Sequence, residues 1–162
     1  MTITNRAIGQ KIYEALRDSA AILDRSQELF GVPHAVYYGF SGQQSPSPEN
    51  LPLFEIMAWG KDRSETQDNR SFSYTLAVSL RDETKTEELL VSGVYAAKYP
   101  AADYVEEFLD LAVAEIKAAL PDLILEEESY EYDPTEFYPL YVGGVGLTLI
   151  FPNLGGGFES TL

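Results

Sequence analysis

From Ser71 to Leu80 the chain alternates without a slip. Phe72, Tyr74, Leu76, Val78 and Leu80 fall on one side, and Ser71, Ser73, Thr75, Ala77 and Ser79 on the other. A two-residue period of this length specifies a β-strand with one buried face. The second side is small and hydroxylated rather than charged, which makes it a candidate surface for contact with another protein. Upstream, Pro52 to Trp59 reads as a partner strand, with Leu53, Met57 and Trp59 opposite Phe54, Ile56 and Ala58. Both of its sides are largely apolar, so it belongs inside a sheet or under a partner. The segment Lys61–Arg70 between them is polar throughout and predicts a hairpin tip.

Around this pair the punctuation gives the rest. Asn5 to Phe30 predicts one amphipathic helix whose stripe is Ile8, Ile12, Ala15, Leu16, Ser19 and Leu23, stopped by Gly31 and Pro33. Ala35 to Phe40 predicts a short strand, and residues 41–50, with Pro46 and Pro48, a loop. Leu89 to Tyr95 fits either a short strand or an irregular lead-in. Pro100 to Leu120 carries a second apolar stripe, Val105, Phe108, Leu109, Ala112, Val113, Ile116 and Leu120, with proline in its first turn and Pro121 after its end. An acidic run, Glu126 to Asp133, precedes a last strand over Tyr138 to Phe151, where Gly143 and Gly144 predict a bulge or bend. The predicted fold is α+β: a mainly antiparallel or mixed sheet with two amphipathic helices packed on one face. It forms a single domain over residues 1–152, followed by a flexible glycine-rich tail, residues 153–162.

At 162 residues and 45% hydrophobic content the chain can bury one real core. No apolar run approaches the ~20 residues of a membrane span, and Met1 to Gln10 lacks the basic and apolar regions of a secretory signal. Of the net charge of −15, residues 1–98 carry −3 (13 acids, ten bases), whereas residues 99–162 carry −12 (13 acids, with Lys117 the lone base). Such an excess disfavours a general nucleic-acid binder, which needs lysine and arginine against phosphate. An acidic surface that merely limits non-specific association explains it equally well.

Candidate chemistry is sparse. With no cysteine there is no disulfide, thiolate nucleophile or thiolate metal site. His34 is the single histidine; it follows Pro33, no Gly-x-Ser-x-Gly elbow accompanies it, and a structural or solvent-facing role is expected. Glu131 and Asp133 have the spacing of two calcium ligands but lack the central glycine of a calcium loop, so a solvated or assembly-facing acidic edge is the better reading. Gly143–Gly146 and Gly155–Gly157 precede no helix with a Lys-Ser/Thr, so neither is a phosphate cradle. The eleven tyrosines suit protein interfaces and also cores in which their hydroxyls find partners. No catalytic residue, cofactor site or metal site is expected.

In element order the chain resembles the tail terminator, or tail completion, proteins of long-tailed bacteriophages. The likeness rests on Asn50-Leu-Pro-Leu-Phe-Glu-Ile-Met-Ala-Trp59 after an amino-terminal helix, and on Asp68 to Leu80, a polar tip leading into the alternating strand. It also rests on the helix Tyr104–Leu120, followed by an acidic tyrosine-bearing stretch and the closing strand Val145–Phe151. It covers residues 5–152 as a pattern of elements; the stretch Thr84–Tyr99 is longer than that pattern. The resemblance implies a non-enzymatic ring, a hexamer, that caps the tail tube and meets a head-completion or connector protein. It also implies DNA passing through without specific binding, no membrane, and a location in the bacterial host cytoplasm during assembly and then in the virion tail. Lys61, Arg63, Glu65, Asp68, Arg70, Ser71, Ser73 and Thr75 are the interface candidates. Glu126, Glu127, Glu128, Glu131 and Asp133 are the candidates for an acidic channel face. Alternatives are a head–tail connector or neck component and a stand-alone cytoplasmic α+β protein-binding module.

Overall fold

The computed structural model describes residues 4–39, 51–63, 70–133 and 138–151, with the backbone alone for 59–63, 70 and 128–133. The loop 41–50, most of the hairpin tip and the glycine-rich tail therefore lie outside the described residues. Among the described residues three helices, α1 (Asn5–Arg17), α2 (Ala20–Phe30) and α3 (Pro100–Ala119), combine with seven strands. Strands β1 (Ala35–Tyr38), β2 (Leu53–Arg63), β3 (Arg70–Arg81), β7 (Leu140–Phe151) and β6 (Ile124–Asp133) form one mixed sheet in the order β1-β2-β3-β7-β6. Only β1–β2 is parallel. Strands β4 (Thr86–Leu89) and β5 (Tyr95–Lys98) pair separately. The α+β class holds.

The alternating strand is central, and its apolar side is the floor of the core: Phe72, Tyr74, Leu76, Val78 and Leu80 are all buried. Helix α3 packs across β3 and β7 through the stripe read from the sequence, while α1 packs on β1 and β2, and α2 leans on α3. Burying a Leu- or Phe-sized side chain contributes about 1.5–3 kcal/mol, so these two sets of residues dominate the fold's stability. Tyr74 donates a 2.7 Å hydrogen bond to the Asn5 carbonyl at the start of α1, tying helix to sheet. Burial pushes its phenol well up, with a backbone hydrogen bond from Gly9 pulling the other way.

Several expectations need correction. The first helix is two: Asp18 closes α1, and Ser19, in extended backbone, caps α2 by accepting from the Ile22 amide at 3.2 Å. The axis turns there, so Leu23, which a single stripe would bury, is exposed, and Ile22 enters the core instead. The acidic run is an edge strand, β6. In β7 the glycines cause no bulge, since its ladder with β3 runs unbroken from Leu140 to Phe151. The irregularities lie elsewhere in the sheet, at Trp59 of β2 against β3 and at Ser129 of β6 against β7. Gly144 instead permits close approach, for a Cβ there would stand 3.3 Å from the Leu76 carbonyl oxygen.

Candidate functional site

All helical packing falls on one side of the sheet. On the other, no helix lies over the strands among the described residues. The cross-strand rows on that side read Met57, Thr75, Gly146, Glu128 and Glu55, Ala77, Gly144, Glu131 from β2 to β6, followed by Ser73, Thr148, Glu126. The centre of the face is thus neutral and low: hydroxyls, one alanine and glycines. Ser71, Ser73, Thr75 and Ala77 are half-buried between their neighbours. At one end the face closes over Leu53 and Ser79, which are 0% and 4% exposed.

One carboxylate stands in this neutral field. Glu55 has an oxygen, Oε1, that is buried without a hydrogen-bond partner among the described residues, and burial raises its carboxyl above the ordinary range. At the β6 edge, acids accumulate. The extra residue Ser129 resets the alternation, so Glu126 and Glu128 before it, and Glu131 and Asp133 after it, all pair with the helix-free side of β7. Glu127 does not join them. It belongs to the helix side, where Lys117 of α3 meets it at 2.6 Å, so the five acids do not form one face.

The hairpin candidates divide in a similar way. Lys61 pairs with Phe72 and Arg63 with Arg70, so these residues extend the ladder rather than forming a tip. Residues 64–69, Glu65 and Asp68 among them, lie outside the described residues. Ser71, Ser73 and Thr75 do share the helix-free face.

Sequence reasoning missed the second surface, an arm. Residues 83–99 are exposed throughout. Strands β4 and β5 pair with each other and pack to no appreciable extent on a helix or on the main sheet. The turn is closed by Leu90 N–H to the Val94 carbonyl and Gly93 N–H to the Leu90 carbonyl, each 2.8 Å, with Gly93 at φ +80°. Its end is apolar: Leu89, Leu90, Val91, Val94 and Tyr95 are exposed, Val91 completely. Its base is clasped. Asp82 N–H donates to the Pro139 carbonyl (3.0 Å), Tyr138 donates to the Glu83 carbonyl (2.9 Å), and the Tyr99 and Tyr138 rings meet edge to face at 5.6 Å. Val91-Ser-Gly-Val94, a turn dipeptide between apolar residues, was the available signal.

Elsewhere the chemistry stays thin. Half-buried His34 donates from Nε2 to the Leu16 carbonyl at 2.8 Å, satisfying a carbonyl in the last turn of α1, and its ring meets Phe54 edge to face. That is a structural clamp. A shallow groove of about 420 Å³ on α3 is lined by Asp103, Glu106, Glu107, Asp110, Leu111 and Ala114, and Glu107 is held there by a bidentate pair with Arg25 at 2.7 and 2.9 Å. Among the described residues no group of three or more histidine or acidic side chains is placed to hold a metal ion. No helix among the described residues is long and apolar enough to cross a membrane. No protein-family model matches the chain, and no curated protein matches it.

Proposed function

We propose that this protein is a non-enzymatic structural component of a phage or prophage tail. It forms a ring, a hexamer by the resemblance, that caps the tail tube and joins it to the head connector. It assembles in the bacterial host cytoplasm and resides in the virion tail. DNA passes through its lumen without specific binding.

One observation carries the reading: among the described residues an apolar-tipped arm stands exposed from the fold, and the sheet keeps one face free of helices. Apolar surface of this kind, on the order of several hundred Å² at the arm's end, is rarely left open by a working monomer. A ring-forming protein has a use for both surfaces. The acidic strand at the edge of the sheet suits a lumen that must not hold phosphate.

Light scattering and negative-stain microscopy of the purified chain test the proposal, together with polymerisation of a tail-tube protein in its presence. A closed ring that arrests tube growth is the expected result. A chain that stays monomeric at every concentration, and leaves tube length unaltered, sinks it.

A further inference from the structure

We infer that the arm pairs with the arm of a second copy, β5 against β5 in antiparallel register about a two-fold axis at Ala96, making one four-stranded sheet in the order β4-β5-β5-β4. This goes beyond the ring reading and does not rest on it, because a two-fold contact joins single chains and rings alike.

A hairpin supported by no helix and no third strand is marginal in water. Among the described residues β4 and β5 pair only with each other, and residues 83–99 are exposed, so each strand keeps an outer edge of backbone donors and acceptors. The turn fixes which groups face outward. The Leu90 N–H bonds to the Val94 carbonyl, and the ladder alternates from there. Glu88–Ala96 and Thr86–Lys98 are hydrogen-bonded pairs, whereas Leu89–Tyr95 and Glu87–Ala97 are not. The N–H and C=O groups of Tyr95 and Ala97 therefore point away from β4, and those of Glu87 and Leu89 away from β5.

Charge chooses between the two edges. Antiparallel pairing about a two-fold axis sets one residue opposite its own copy. Every register that pairs β4 through its middle opposes Glu87 to Glu87 or Glu88 to Glu88, a like-charge pair. On β5 the same requirement opposes alanine to alanine. Centring on Ala97 would call on the Tyr99 backbone, whose carbonyl already accepts from the Ala102 N–H at the start of α3. Centring on Ala96 instead bonds Tyr95 of each copy to Ala97 of the other and sets the large ring beside a small side chain. Val94 then lies opposite Lys98, so the turn of each arm reaches the base of the other, where Tyr99 and Tyr138 are 41% and 46% exposed. Over residues 84–99 Lys85 and Lys98 balance Glu87 and Glu88, so two copies of a chain carrying −15 meet where each is neutral.

Because the chain has no cysteine, a single one reports the axis. Ala96→Cys is expected to give a disulfide-linked pair under mild oxidation. Glu88→Cys, level with it on the outer strand, is expected not to. Ala96→Glu and Ala96→Lys each place like charges across the axis, and each alone is expected to raise the concentration needed for pairing at least tenfold in sedimentation. An equal mixture of the two is expected to recover pairing, with circular dichroism unaltered in both. Glu88→Cys linking as fast as Ala96→Cys overturns the inference, as does a mixture that stays apart or a native chain that sediments as a monomer throughout. Rings of unaltered mass in Ala96→Glu sink the pairing and leave the ring reading standing; pairs that never close into rings do the reverse.

Discussion

Gly9 shows how closely the helices press on the sheet. It is buried in α1, and a Cβ at this position would overlap the Tyr38 ring of β1. Glycine inside a helix costs about 1 kcal/mol relative to alanine, so in a Tyr38→Ala background Gly9→Ala is expected to stabilise by about that amount in urea unfolding. In the native background the Tyr38 ring must swing outward, and the gain is expected to disappear. Equal responses in the two backgrounds would refute the contact. Glu55 gives the second residue-scale test. Its folded carboxyl is raised by burial, so the folded state holds its proton at a pH where the unfolded chain has released it. Stability from this group therefore falls as pH rises through the carboxylate range and is regained in acid. Glu55→Gln is expected to raise the melting temperature at pH 7 and to lose that advantage near pH 4. An advantage that persists unchanged at pH 4 would show that charge is not the cause.

Among the elements, those that contact the core were legible and those set by local geometry were not. The two-residue period of β3 and the apolar stripe of α3 survive intact because burial decides both, and burial is what periodicity records. The break between α1 and α2 turns on one hydroxyl, Ser19, within a run of ordinary helix formers, and Asp18–Ser19 was the only mark it left. Strand β6 was hidden by its charge. An edge strand needs only one buried face, and the alternation of Tyr130 and Tyr132 with Glu131 and Asp133 was the signal within the acidic run. The arm was hidden for the opposite reason, since a hairpin whose residues are exposed on both sides has no burial pattern to obey. Of the candidate residues, the common face of Ser71, Ser73 and Thr75 was legible in the alternation, whereas the arm and the separation of Glu127 from the other acids were not. The β6 bulge is open to test, because a one-residue slip moves every later side chain to the other face. Deleting Ser129 is expected to force Glu131 and Asp133 toward the core, or to reverse Ile124 to Glu128. Either outcome is expected to destabilise the fold by several kcal/mol, on the order of a buried unpaired charge. A deletion variant that melts like the native chain would contradict the register.

At the scale of the whole molecule, net charge opposes the proposed assembly. Each copy carries −15, so copies repel over a Debye length of roughly 30 Å in 0.01 M salt and roughly 8 Å at 0.15 M. The neutral centre of the helix-free face offers no ion pairs to offset this, and the apolar tip of the arm brings none. Association is therefore expected to tighten with added salt, by at least tenfold in the assembly midpoint between these conditions as measured by light scattering. An interface built on salt bridges would do the reverse. The acids of β6 concentrate this repulsion along one edge of the sheet, so Glu126→Gln/Glu128→Gln/Glu131→Gln/Asp133→Asn is expected to assemble more readily at low salt and to respond less to added salt. Lys117 and Glu127, paired across the helix side, are left untouched in that variant, which confines the change to the rim. Should assembly weaken with salt in the native chain, ion pairs at the charged rim rather than neutral surface would be what joins the copies.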